Sequence, residues 1–401
     1  MNSAISTWPR FSEEEATAVK NVILSNKVNY WTGSECREFE LEFAEWTGSA
    51  YAIALSNGTL ALDLALKALG IQAGDEVIVT PRTFLASASC IVNAGAMPVF
   101  ADVDRDSQNI TAETIKVVLT PRTKAIICVH LAGLPCDMDP IMALAQERGI
   151  FVIEDCAQAH GASYKGRMVG SIGHIGAWSF CQDKIMTTGG EGGMVTTNSR
   201  VWWRAMWSYK DHGKSWEAMY ERAHPPGYRW VHESFGTNWR MLETQAVIGR
   251  IQLKRMPLWT ALRQANGRKI AAVCEQFSAV RVPPVPPEVQ HAFYKYYVFV
   301  EPENLANGWT RDRIVYEISA RGASCAQGSC SEVYLEKAFD NTPYRPKARA
   351  LVARELGETS LMFLVHPTLT RADMEKTCTS IRDVLSLATR IEQTTNLVAR
   401  A

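Results

Sequence analysis

Three short stretches carry side chains able to do chemistry. The first is Trp178-Ser179-Phe180-Cys181-Gln182-Asp183-Lys184, which runs through Thr187-Thr188-Gly189-Gly190-Glu191-Gly192-Gly193. A single lysine in a Gly/Thr-rich turn among apolar neighbours is a candidate for Schiff-base chemistry. Its amine must be deprotonated to attack a carbonyl, which burial or nearby positive charge favours. Taken alone, Lys184 also reads as a solvated loop residue. The second stretch is Val152-Ile153-Glu154-Asp155-Cys156-Ala157-Gln158. It places carboxylates at the end of an apolar run, where an acid can hold a proton on a heterocycle nitrogen or form a buried ion pair. The third is Ser56-Asn57-Gly58-Thr59, directly before Leu60-Ala61-Leu62. A helix N-terminus offers unpaired N–H groups and partial positive charge to a phosphate, and glycine allows close approach. A plain N-cap turn is the alternative there.

These stretches need a scaffold that brings them together. β-branched runs at 76–80, 97–103, 125–129 and 150–154 alternate with helical patterns at 60–69, 85–93, 111–119 and 138–148. Strands alternating with helices predict βαβ units and a mostly parallel sheet covered on both faces, an α/β fold. Ligands of such sheets collect at the carboxyl ends of the strands. Upstream, Glu13-Glu14-Glu15 with Val19, Val22, Ile23 and Leu24 predicts an amphipathic helix. After the proline cluster 283–287, a strand at 294–300 and helices at 311–321 and 371–387 predict a smaller α+β domain. The expected division is 1–259, an N-terminal arm and large domain, and 260–401, a small C-terminal domain.

Composition narrows the function. The 401 residues include 42 Lys+Arg and 42 Asp+Glu, a formal net charge of +0. That balance gives no electrostatic case for a nucleic-acid partner or a membrane surface. No apolar run approaches the roughly 20 residues a membrane span needs. The first residues lack the basic and apolar regions of a signal peptide, so a cytoplasmic protein is expected. The ten cysteines have no metal or disulfide spacing and read as free thiols; no metal is expected.

The blocks SNGT (56–59), GDEVI (74–78), GAMPVFADVD (95–104), IEDCAQAHGA (153–162), SFCQDK…TTGGEGG (179–193) and GTNWRM (236–241) occur in one order. The chain thereby resembles the DegT/DnrJ/StrS family of pyridoxal-phosphate-dependent sugar aminotransferases, over roughly residues 10 to 385. The resemblance implies fold type I, with a mixed, mostly parallel seven-stranded sheet flanked by helices. It implies pyridoxal 5'-phosphate as cofactor, Lys184 as the lysine joined to its aldehyde, and Asp155 as the acid on the pyridine nitrogen. It also implies Gln158 near the phenolic oxygen, Phe84 against the ring, and Gly58, Thr59 and Ser179 at the phosphate. Asn238 matches a residue donated to the neighbouring subunit's phosphate, so a homodimer with shared sites is expected. The substrates implied are an amino-acid donor, L-glutamate, and a keto or aldehydo sugar. A nucleotide-linked keto sugar for surface-polysaccharide or secondary-metabolite biosynthesis is the expected acceptor.

Other functions were weighed. A sugar dehydratase of this fold carries His where this chain has Lys184. A non-catalytic regulatory protein needs an output domain, and none is seen before residue 50. A nicotinamide enzyme needs Gly-x-Gly-x-x-Gly after its first strand, which is lacking. The Trp-rich segment 202–230 reads equally as a cover over substrate and as packed surface. His160 and His366 are given no catalytic role, and the stretches 294–297 and 328–334 are expected near substrate without individual assignments.

Overall fold

The computed structural model describes residues 5–390 except 225 and 228. In chain order the helices are α1 (Glu13–Leu24), α2 (Glu35–Thr47), α3 (Gly58–Ala68), α4 (Ala86–Asn93), α5 (Ala112–Val118), α6 (Met138–Arg148), α7 (Arg200–Lys210), α8 (Trp216–Tyr220), α9 (Glu243–Cys274), α10 (Arg311–Ala320), α11 (Leu351–Thr359) and α12 (Arg371–Ala388). The strands are β1 (Tyr51–Leu55), β2 (Glu76–Val79), β3 (Met97–Phe100), β4 (Thr123–Val129), β5 (Phe151–Asp155), β6 (Ser163–Tyr164), β7 (Arg167–Met168), β8 (Ile175–Ser179), β9 (Gly193–Thr197), β10 (Val280–Arg281), β11 (Val289–Gln290), β12 (Tyr296–Val300), β13 (Cys325–Ala326) and β14 (Ser360–Phe363).

The main sheet has the order β1-β9-β8-β5-β4-β2-β3. β3, β2, β4, β5 and β8 pair in parallel, and β9 is antiparallel to both β8 and β1. β1 therefore runs with β8, and the carboxyl ends of β1, β8, β5, β4 and β2 share one edge. Side chains alternate across this sheet. Ile53, Leu55, Val77, Val79, Ile127 and Ile153 join the core under α3, α4 and α7. Ile78, Ile126, Cys128 and Val152 face α5 and α6, while Ala52, Ala54, Trp178 and Met194 face α2 and α9. A sheet buried on both faces reads as continuous apolar runs, as these strands do.

The second sheet, β10-β12-β14-β13, is antiparallel. Its core joins Val298, Val300, Leu361 and Phe363 to α10 and α12. The 32-residue helix α9 spans both regions. Its first half packs on α1 and α2, and its second half puts Ile270 and Val273 into the core of the second sheet. The division expected after residue 259 falls inside this helix. Among the described residues no helix is long and apolar enough to cross a membrane.

Gly249 marks the tightest approach of α9 to α2. A Cβ there would lie 2.6 Å from Cζ and 2.7 Å from Cε1 of Phe39. The Phe39 ring is itself wedged among Phe43 and Phe180 at centroid distances of 5.8 and 5.4 Å. Alanine improves helix propensity by about 1 kcal/mol. Overpacking a rigid aromatic cluster costs about 1–3 kcal/mol before that gain. Gly249→Ala should therefore lower the unfolding free energy in urea titration; a net gain in stability would show that α2 can slide away.

Candidate functional site

The edge formed by the strand ends opens into a cavity of about 940 Å³ lined by Gly58, Thr59, Phe84, Asp155, Gln158, Ser179 and Lys184 together with residues of the second sheet. Seven of the eight residues singled out from sequence thus meet in one place. Asn238, the eighth, is exposed and is not among the lining residues.

Each lining side chain is placed by a local feature. β1 ends and α3 begins at Asn57, whose Oδ1 accepts the Leu60 N–H at 3.0 Å. That cap leaves the Gly58 and Thr59 end of α3 directed at the cavity. A Cβ on Gly58 would overlap Ser179 Cβ and lie 2.9 Å from Ser179 Cα, so only glycine lets α3 seat against the end of β8. Asp155 closes β5 and is buried. Its Oδ2 accepts from Ser87 Oγ at 2.7 Å and its Oδ1 from the Ala157 N–H at 3.1 Å. Gln158 Oε1 accepts the Ala132 N–H at 2.8 Å, which turns its amide NH₂ toward the cavity. Phe84, after β2, is 69% exposed, a large apolar ring left uncovered at the rim.

Glu154, the neighbouring carboxylate, faces the other way and does a structural job. Its oxygens accept the N–H groups of Gly170, Ile172 and Gly173 at 2.8, 2.9 and 2.6 Å, and His130 Nε2 lies 3.0 Å away. His130 Nδ1 accepts the Cys136 N–H at 3.0 Å, so the imidazole proton sits on Nε2 and points at Glu154. Burial raises the Glu154 pKa, but His130 and the backbone donors outweigh it and hold the carboxyl below its ordinary value.

Lys184 lies in the excursion between β8 and β9. Its N–H donates to Cys181 O at 3.1 Å. Its Nζ stands 5.2 Å from the centre of the Tyr294 ring, and Lys295 Nζ is 4.6 Å from the same centre. The Tyr294 hydroxyl donates to Asp183. Thr187 N donates to Gln252 Oε1 at 2.9 Å, Gln245 Nε2 to Glu191 O at 2.7 Å, and Trp8 Nε1 to Lys184 O at 2.8 Å.

Sequence reasoning missed Ser87 and Trp8, and it reached Tyr294 only as part of the stretch 294–297 expected near substrate, which the cavity wall includes. Ser87 carries a signal, since it lies one helical turn beyond Thr83 in the block containing Phe84. Trp8 carries none, because its partner is far away in the chain. The Trp-rich segment is largely packed: Trp207 is buried and contacts Trp31 and Trp216 edge-on at 6.1 and 5.1 Å. Trp230, 81% exposed, and Tyr220, 49% exposed, are the exceptions.

Behind the lysine lies a buried, cation-rich layer. Arg263 is fully buried, and burial lowers its pKa to about 9. His160, between Trp178 and Phe180, is pushed down to about 3 by burial, reinforced by the charges of Lys184 and Arg263. Burial likewise holds His291 and His366 at about 3.

An open α/β sheet with a lysine-bearing excursion at its carboxyl edge and a second, smaller sheet beside it is the fold type I architecture of aminotransferases. The family model described as DegT/DnrJ/EryC1/StrS aminotransferase matches residues 9–382, and the chain belongs to this family of pyridoxal-phosphate-dependent transaminases. A solved aminotransferase from Psychrobacter cryohalolentis is 64% identical, with a TM-score of 0.94 over 95% of this chain and 99% of that one. GDP-perosamine synthase of Caulobacter vibrioides is 37% identical over 355 residues, 87% of this chain and 89% of the relative. The UDP-N-acetyl-3-dehydro-alpha-D-glucosamine 3-aminotransferase of Acidithiobacillus ferrooxidans is 34% identical over 377 residues, 93% and 94% of the two chains.

The buried histidines set a pH dependence. Each has a folded pKa below its ordinary value of about 6.5, so the stability tied to its neutral form is complete above that pH. It is lost as pH falls from there toward 3, where the unfolded chain binds protons that the folded chain refuses. Each contributes a slope of up to about 1.4 kcal/mol per pH unit. His160→Gln should flatten the slope of unfolding free energy between pH 6 and 4.5 by about one proton; an unchanged slope would mean that His160 is charged in the folded protein.

Proposed function

We propose that this aminotransferase moves an amino group from an amino acid, L-glutamate, to the keto or aldehydo carbon of a nucleotide-linked sugar, with pyridoxal 5'-phosphate carried on Lys184. The observation behind this reading is the convergence of the Lys184 amine, from the excursion after β8, and the buried Asp155 carboxylate, from the end of β5, on a cavity that a helix N-terminus also lines. The donor set fits the cofactor. The Gly58–Thr59 end of α3 and the Ser179 hydroxyl suit a phosphate. Asp155, already fixed by Ser87 and Ala157, suits a protonated pyridine nitrogen. The Gln158 amide NH₂ suits the phenolic oxygen, and Phe84 suits a ring face.

When bound, the cofactor supplies an electrophilic aldehyde carbon and a pyridinium ring that withdraws electrons. Asp155 keeps the proton on the ring nitrogen. Lys184 Nζ would hold the cofactor between turnovers and, when free, would move the proton from the donor Cα to the former aldehyde carbon, and in the second half from that carbon to the acceptor carbon. The kinetics expected are ping-pong. Two relatives named for nucleotide-sugar chemistry, the GDP-perosamine synthase and the UDP-sugar 3-aminotransferase, support the sugar acceptor and with it a role in polysaccharide biosynthesis. Asn238, exposed and off its own chain's cavity, supports the reading that it reaches the partner's phosphate in a C2 homodimer.

Borohydride reduction of the cofactor-loaded protein, followed by peptide mass mapping, should tag Lys184; a tag on another lysine overturns the assignment. Lys184→Ala should abolish amine transfer to every member of a keto-sugar panel while the protein still melts cooperatively. Asp155→Asn should keep cofactor but lose turnover by about 100-fold or more; unchanged turnover removes Asp155 from the mechanism.

A further inference from the structure

Residues 5–8 form a strap that leads from the second-sheet region to the reacting lysine. Ser6 Oγ donates to Asp373 Oδ2 at 2.8 Å, within the capping box of α12. Thr368 Oγ1 donates to Thr7 O at 2.8 Å. The next residue, Trp8, donates its indole N–H to the main-chain carbonyl of Lys184 at 2.8 Å, across 176 residues of sequence.

The Trp8 ring sits in a built socket. Trp259 of α9 meets it edge-on at 5.1 Å, His366 stacks at 6.1 Å, and the Arg263 guanidinium lies 5.1 Å above it. Arg263 Nη1 donates to the carbonyls of Phe293 and Tyr294 at 3.3 Å each, and its Nε and Nη2 find no hydrogen-bond partner. The Trp8 π face thus helps to hold a buried cation that lacks a carboxylate. Three sides of the ring are fixed, so the direction of its N–H is fixed too.

We infer that Trp8 is a positioning residue for the transfer reaction: by holding the Lys184 carbonyl, it aims Lys184 Nζ at the donor Cα. The inference rests on Lys184 as the reacting amine. A lysine side chain has four rotatable bonds, and its reach is set by where its own backbone stands. Small misplacements of a proton-transferring group cost rate steeply. The neighbouring anchors, Thr187 to Gln252 and Glu191 to Gln245, hold the far side of the excursion. Trp8 holds the residue that reacts.

Trp8→Phe keeps an aromatic ring in the socket and deletes the N–H together with the second ring of the indole. In cofactor-loaded protein, kcat for the donor half-reaction should fall about fivefold to tenfold, the scale of one neutral hydrogen bond. Donor affinity and cofactor content should stay within about twofold, because no group that binds either is removed. The primary isotope effect with α-deuterated L-glutamate should rise, since proton removal by Lys184 becomes more rate-limiting. A loss of rate that merely follows lost cofactor or lost fold leaves the isotope effect unchanged, and that result overturns the inference, as does wild-type kcat. If Trp8→Phe fails to melt cooperatively, Ser6→Ala, which unties the strap at α12 and leaves Trp8 intact, carries the same test; an isotope effect equal to wild type in that variant overturns the inference. Lys184→Ala separates the two ideas. Activity in that variant sinks the assignment of Lys184 itself, whereas inert Lys184→Ala with unaltered Trp8→Phe sinks only the strap.

Discussion

The antiparallel seating of β9 between β8 and β1 is the constraint on which the site depends. Every other strand pair in the main sheet is parallel, and a parallel crossover carries the chain back through a helix. Between β8 and β9 there is no crossover helix. The chain leaves the carboxyl edge at Ser179 and must return to that edge at Gly193. Its backbone groups in between join no regular strand; some pair with one another, as the Phe180 N–H with Gly192 O at 2.8 Å and the Thr188 N–H with Phe180 O at 3.2 Å, and side chains satisfy others. Thr187 Oγ1 donates to Phe180 O at 2.9 Å, Thr188 Oγ1 to Glu191 O at 2.5 Å, and Gln252, Gln245 and Trp8 add three further bonds. Lys184 is held in the part of the sheet where the topology forces an excursion into the cavity. The same reversal explains two glycines. A Cβ at Gly193 would overlap Asn57 O, and one at Gly58 would overlap Ser179 Cβ, so the start of β9, the end of β8 and the start of α3 meet closer than side chains permit.

Charge is distributed around this excursion in a one-sided way. Lys184, Lys295 and Arg263 gather near Tyr294, and the Asp183 carboxylate among them accepts the Tyr294 hydroxyl. Burial lowers the Lys295 and Arg263 pKa values, and burial together with the neighbouring cations keeps His160 and His366 neutral. Aromatic faces stand where acids would be found on a surface: Trp8 over Arg263, and Tyr294 beside both lysines. A layer of this kind favours anions brought into the cavity, with the Asp183 carboxylate already engaged by the Tyr294 hydroxyl.

Much of this could be read from sequence because much of it is local. Helix α6 has the bounds its periodicity indicates, and the alternation of Ile126, Ile127 and Cys128 across β4 marks a strand buried on both faces. The site blocks were legible because each sits just past a strand end, where one edge collects them. The departures arise where distant segments compete for the backbone. The strand expected over 97–103 stops at Phe100. Beyond it, Asp102 turns to accept the Val352 and Ala353 N–H groups at 2.9 Å each, capping α11 from far along the chain. The strand expected from 294 begins at Tyr296, because the Tyr294 N–H is taken by Ala132 O at 2.8 Å. Trp8, Ser87 and the Tyr294–Asp183 pair acquire their roles only from tertiary packing.

The helix α9 draws these features into one mechanical unit. Gln245 and Gln252, two turns apart on its first half, hold the excursion, and Gln252 Nε2 also donates to Glu15 of α1 at 2.8 Å. Trp259 and Arg263, at its middle, hold Trp8. Ile270 and Val273, on its last turns, are buried in the core of the second sheet. One rigid rod therefore touches the lysine turn, the strap that grips the lysine carbonyl, and the sheet that supplies Lys295 and Tyr297 to the opposite wall of the cavity. The turn that carries Lys184 and the sheet beside the cavity thus pack against one helix.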